Sequence, residues 1–170
     1  MNTIDTIKAR RSIRKYQPEV VVTEEHIHQM LEAAMMAPSA CNSRPWEFVV
    51  VKNKELFGPI MEAMQTAGML KTASLAIVVC GLPEVSRKCC RGMEFWPQDC
   101  GAAIQNMLLC AKELGYGTCW CGVYPVPSRV EKMQKIVGDT SIPIAVIAVG
   151  AANEEPAARG FYEESKVRFL

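Results

Sequence analysis

Three stretches and one isolated cation carry the residue types that could do chemistry. Arg10-Arg11-Ser12-Ile13-Arg14 places three guanidinium groups and a hydroxyl within five residues. The planar fork of an arginine matches phosphate oxygens two at a time, and a serine hydroxyl can serve the same anion. The run therefore fits a phosphate seat. It fits equally a solvated helix end, where basic residues are favoured. Pro38-Ser39-Ala40-Cys41-Asn42-Ser43-Arg44-Pro45-Trp46 is rich in small polar donors and bounded by two prolines. Trp120-Cys121-Gly122-Val123 offers a glycine at which backbone can approach a ligand closely. Arg159 stands alone in the tail.

Composition narrows the classes of function. A length of 170 residues suits one domain, 1–170, with a sizeable core. A net charge of +1 gives no support for nucleic-acid binding. No apolar run approaches the roughly 20 residues that span a bilayer, and the polar, basic stretch 1–14 lacks a signal peptide's apolar core. A cytoplasmic protein with no membrane or nucleic-acid partner is expected. The eight cysteines contain no Cys-x-x-Cys pair, and His26 and His28 are distant from most of them. Structural thiols rather than a metal site are expected, which suits a reducing compartment.

The elements that must position these residues follow from periodicity. Ile4 and Ile7 mark the apolar side of a short first helix ending near the arginines. Thr23 is a good N-cap, and Ile27, Met30, Leu31, Ala34 and Met35 follow at helical spacing as far as Pro38. Buried strands are predicted at 48–51, 75–80, 118–123 and 142–150, with helices at 54–64 and 129–137. The stretch 100–114 is apolar on nearly every face and reads as a buried helix, with Pro97 and Asp99 in its first turn and Gly115 closing it. Residues 84–95 show no clear period and read as a mobile surface segment or lid. Tail residues 151–170 cannot form a core alone, although Val167-Arg168-Phe169-Leu170 could add to a sheet edge. Four strands with interspersed helices predict a three-layer α/β sandwich.

Taken together, the candidate stretches supply what a flavin mononucleotide (FMN) needs: cations for the phosphate, polar groups for the pyrimidine edge, and a backbone N–H for N5. The same residues resemble the nitroreductase-like flavoproteins. Arg10 to Tyr16 and Ala37 to Phe48 look like that family's opening. Asp99-Cys100-Gly101-Ala102-Ala103-Ile104-Gln105-Asn106 and Gly115 to Trp120 are similar to its central helix and following strand. The ordered match continues through Glu154-Glu155-Pro156 to Arg159 and Glu164 to Val167.

The resemblance implies an α+β fold, a three-layer α/β/α sandwich on a mixed, mainly antiparallel sheet. It also implies a homodimer with FMN at the subunit interface and the tail extending to the partner. Arg10, Ser12 and Arg14 would hold the phosphate and ribityl side, with Arg11 adding backbone contact and Arg159 a second phosphate cation. Pro38, Ser39, Ala40 and Asn42 would reach the flavin from the other subunit, and Arg44 would bind the cofactor at the ring's polar edge. Cys121, Gly122 and Val123 would line the ring. The implied activity is two-electron transfer from NADH or NADPH through flavin, by a ping-pong mechanism, to a small acceptor such as a nitroaromatic or quinone. No side chain serves as a nucleophile, because the flavin carries the chemistry. Alternatives are a non-catalytic flavin sensor or store, or a flavin enzyme of this fold that dehalogenates, fragments flavin or dehydrogenates a metabolite. Two departures stand out: Arg44 occupies a position where relatives often have Gln, and Ala157 leaves no second cation just before Arg159.

Overall fold

The computed structural model describes residues 2–157, 159–160 and 162–170. Its helices are α1 (Thr3–Ala9), α2 (Glu24–Met35), α3 (Phe57–Ala63), α4 (Pro83–Cys89), α5 (Trp96–Glu113) and α6 (Pro127–Val137). Strands β1 (Trp46–Val51), β2 (Leu75–Gly81), β3 (Tyr116–Gly122) and β4 (Ile142–Ala151) form one sheet in the order β1-β2-β4-β3. Every neighbouring pair is antiparallel, and among the described residues the parallel element is a single bridge between Ser12 and Thr118. The architecture is α+β, as the sequence predicts.

The central strands β2 and β4 are buried on both faces, which is why they read as unbroken apolar runs rather than as an alternation. Their period of two still sorts the core into two layers. Leu75, Ile77, Val79, Ile147 and Val149 face α2 and α5. Ala76, Val78, Cys80, Val146 and Ala148 face α3, α6 and the arginine segment's own Ile13 and Tyr16. On α5, Cys100, Ala103, Ile104, Met107, Leu108 and Ala111 make the inner stripe. Asn106 donates to the Ala33 carbonyl of α2 at 3.1 Å, satisfying a polar group on that packed helix.

Three expectations change. On α1, Ile4 and Ile7 point to solvent, 58% and 48% exposed, while Thr6 is buried and donates to Glu113 Oε2 at 2.8 Å. A seven-residue helix has little face to offer, and here the hydroxyl contact to the end of α5 decides which side docks. Residues 84–95 are not a featureless segment: α4 is held by Arg87 ion pairs to Glu84 and Glu94, and Ser86 Oγ accepts from Phe95 N at 3.0 Å. Pro83 at its start and Arg87 and Lys88 in its last turn are ordinary helix signals compressed into two turns. At the tail, Phe169 and Leu170 are fully open to solvent, and residues 167–170 join no strand of their own chain among the described residues. No helix among them is long and apolar enough to cross a membrane.

Tyr16 ties the arginine segment to the core. It is 2% exposed, and its hydroxyl donates to the Ile13 carbonyl at 2.6 Å. Burial raises its pKa well above the ordinary 10.0, reinforced by the thiols of Cys119 and Cys121. Burial likewise pushes Cys80 up to about 11 and Cys100 up to about 12. For each group the folded state holds its proton longer than the unfolded chain does. The associated stability is complete below the unfolded pKa and is lost as pH rises through and beyond it. The denaturation midpoint is therefore expected to fall above pH 10 more steeply in the native protein than in Tyr16→Phe, as urea titrations at stepped pH would show. Parallel curves would contradict this.

Candidate functional site

The arginine run follows α1 as extended chain laid along the start of β3. Ile13 N donates to the Thr118 carbonyl at 2.9 Å, and Ser12 bridges Thr118. Gly117 makes the approach possible: a Cβ there would sit 2.7 Å from Ile13 Cγ1 and 2.8 Å from Ile13 Cβ. At the other end, Glu154 Oε1 accepts from the backbone N–H groups of Arg14 and Lys15. Asn153 N donates to the Lys15 carbonyl at 2.9 Å, and Tyr16 bridges Ala152. The segment is thus clamped between β3 and the chain just after β4.

An extended segment splays its side chains, so the three guanidinium groups do not converge on one point. Arg10 and Arg11 line a cavity of about 270 Å³ with Lys112, Tyr116, Glu154 and Pro156. Arg14 lines a second, of about 650 Å³, with Met69, Trp120, Cys121, Gly122 and Arg129. Arg11 donates to the Ala157 carbonyl, which holds the tail two residues before the exposed Arg159 close to the run. Arg10 Nε is buried with no hydrogen-bond partner. A buried donor left unpaired costs about 1–3 kcal/mol, so this atom favours an incoming anionic acceptor. The unpaired donor supports the anion seat over the solvated helix end.

At the far end of β3, backbone parity decides which amides are free. Val123 N donates to the Ile144 carbonyl at 3.0 Å, whereas the Thr118 carbonyl faces outward to Ile13. Alternation then turns Gly122 outward along the sheet edge, where its carbonyl accepts from Arg129 Nη1 at 2.9 Å. The backbone N–H presented to the larger cavity is therefore that of Gly122, not Val123. A Cβ on Gly122 would meet nothing within 4 Å, so the space before it is open. Cys119 and Cys121 lie beneath. The neighbouring Cys121 holds the Cys119 thiol's pKa below the ordinary value, and that of Cys121 is driven up in return.

The loop after α2 stands apart, and Pro38, Ser39, Ala40, Asn42 and Arg44 contribute to neither cavity. Cys41, Asn42 and Arg44 all have positive φ, 53°, 50° and 47°. Three such residues in four are strained and need external support. Ser39 Oγ accepts from Arg44 N at 2.9 Å, and buried Asp99 Oδ1 accepts from Ala40 N at 3.1 Å. The sequence assigns Asp99 only to the positive end of α5, and nothing in its local pattern signals this second task. Asp99 Oδ2 is buried without a partner, so Asp99→Ala removes a strained burial together with a useful bond. Global stability should change little, while amide exchange at Ala40 to Ser43 should quicken about tenfold. Unchanged exchange there would remove Asp99 from this role.

Comparison with known proteins places this geometry in a family. The Nitroreductase family model matches residues 7–72 and 62–151. A protein of Methanothermobacter thermautotrophicus named "Putative NADH dehydrogenase/NAD(P)H nitroreductase" is 41% identical over 173 residues, covering 98% of this chain and 86% of the relative. A crystal structure of a protein with the same name from Parabacteroides distasonis superposes with a TM-score of 0.91 at 36% identity, over 99% of this chain and 98% of the other. An "FMN-dependent Nitroreductase" from Clostridium difficile gives a TM-score of 0.86 at 30% identity, over 98% of both chains. The chain belongs to the nitroreductase family.

Proposed function

We propose that the protein is an FMN-dependent oxidoreductase, acting as a homodimer in the cytoplasm. The observation that carries this is the orphaned, buried Arg10 Nε at one end of the clamped segment and the open Gly122 N–H at the other, with Arg14 between them. These residues fit the two ends of a flavin nucleotide. Arg10, Ser12 and Arg14 would hold the phosphate and ribityl side, Arg159 would add a second phosphate cation, and Gly122 N–H would face the ring's N5 edge. When bound, FMN accepts two electrons from NADH or NADPH and passes them to a small acceptor such as a nitroaromatic or quinone. The chain itself binds, orients and excludes water, and none of its side chains takes part in bond making. Trp120, 41% exposed on the rim, and Met69 would shape the space where donor and acceptor bind in turn.

Dimerisation supplies the missing side of the site. Pro38 to Arg44, held out in a strained loop, would reach the flavin of the partner subunit, and the exposed Ile4, Ile7, Met35, Met36 and Phe169 would find cover there. The similarity to a nitroreductase whose name states FMN dependence supports the cofactor. The purified protein is expected to be yellow with one FMN per chain, and NADH or NADPH should bleach it without oxygen. A protein that stays colourless after incubation with FMN would overturn the reading.

A further inference from the structure

Three sulfur-bearing side chains line the larger cavity, and the flavin reading gives their sulfur atoms no chemical task. Cys119 and Cys121, two residues apart on β3, point to the same face, and both are buried on it. Met69 arrives from the 3-10 turn at Gln65–Lys71, with its Sδ 3.6 Å from Cys121 Sγ. All three line the cavity, together with Arg14 and Arg129. The eight cysteines read in sequence as dispersed structural thiols because the third sulfur lies 50 or more residues away and is a methionine.

We propose that Cys119, Cys121 and Met69 form a binding site for a soft monovalent cation, Cu(I). Thiolate and thioether sulfur select this ion over hard cations. In a trigonal site with metal–sulfur bonds of about 2.3 Å, the sulfurs stand about 4 Å apart, close to the 3.6 Å that already separates Cys121 from Met69. The pocket offers three sulfurs and no fourth side-chain ligand, which suits three-coordinate Cu(I) and not tetrahedral zinc. Binding forms two thiolate–copper bonds and one thioether–copper bond and releases the two thiol protons, with no change in oxidation state. The complex carries one net negative charge, which Arg14 and Arg129 on the same wall offset.

The test is anaerobic competition for Cu(I) between the FMN-loaded protein and bicinchoninate, with copper X-ray absorption on the product. One equivalent per chain in an all-sulfur shell of three is expected. The equivalent should persist in Cys41→Ser/Cys89→Ser, which removes the exposed thiols, and vanish in Cys119→Ser/Cys121→Ser. Met69→Leu spares both thiols, so it decides the matter even if the double variant does not fold. It should weaken binding at least about tenfold and leave two sulfurs in the shell. An equivalent that follows Cys41 and Cys89, a shell of nitrogen or oxygen, or unchanged affinity in Met69→Leu would overturn the proposal. None of these readouts depends on what the flavin does.

Discussion

Arg10→Ala and Arg14→Ala are each expected to weaken FMN retention by roughly 10- to 150-fold, the effect of losing one charge-assisted hydrogen bond of about 1.5–3 kcal/mol. The two losses should not look alike. Arg10 sits half-buried with its Nε unpaired, so truncating it removes an unsatisfied donor from the empty protein and should leave the fold at least as stable. Arg14 is exposed, and its backbone N–H, not its side chain, is what Glu154 holds. Its loss should therefore act on the ligand alone. Equilibrium dialysis of flavin, read beside thermal unfolding of the flavin-free protein, separates these effects. Retention unchanged in both variants would remove the phosphate from this run while leaving the fold as described.

Gly117→Ala is expected to be the most damaging single methyl group added near the site. The new Cβ would stand 2.7 to 2.8 Å from three atoms of Ile13, including its Cβ. A β-branched side chain cannot swing its Cβ aside without moving its backbone. That backbone carries the Ile13 N to Thr118 O bond that holds the arginine run against β3. Overpacking of this kind costs about 1–3 kcal/mol, or roughly 2–12 °C in melting temperature for a chain of this size. Flavin retention should fall with it, because Arg10 and Arg14 flank the displaced residue. In an Ile13→Gly background, which lacks that Cβ, adding Gly117→Ala should cost far less melting temperature than it does in the native chain. An equal cost in both backgrounds would contradict the steric account.

How much of this was legible depended on how local each signal is. The unbroken apolar runs of β2 and β4, the Thr23 cap, whose hydroxyl accepts from His26 N at 3.2 Å, and the turn at Gly115, where φ is +86°, all rest on neighbouring residues. The sequence carries them directly. What it could not carry are choices made by partners distant in the chain. Thr6 rather than Ile4 and Ile7 faces inward because Glu113 is there to accept its hydroxyl. Asp99 anchors Ala40 across 59 positions. Which of Gly122 and Val123 offers a free amide follows from hydrogen-bond parity, set by Ile144 on β4 and Ile13 beyond the free edge. The arginine run looked like one cluster because five residues are adjacent in sequence. Extended backbone separates them into two cavities, and Arg11 is occupied by the tail carbonyl of Ala157.

The central claim is that each flavin site is shared between two copies of this chain, with Arg10 from one and the loop at Asn42 from the other. Mixing variants tests it directly. Arg10→Ala and Asn42→Ala homodimers would each carry two damaged sites. A dimer of one copy of each would carry one site with both defects and one with neither. Unfolding and refolding the two variants together should therefore restore tight FMN binding to about a quarter of the sites in a random mixture, seen as visible absorbance and NAD(P)H-dependent bleaching absent from either variant alone. If both residues instead serve the site within their own chain, no subunit in the mixture is whole, and neither absorbance nor bleaching would return.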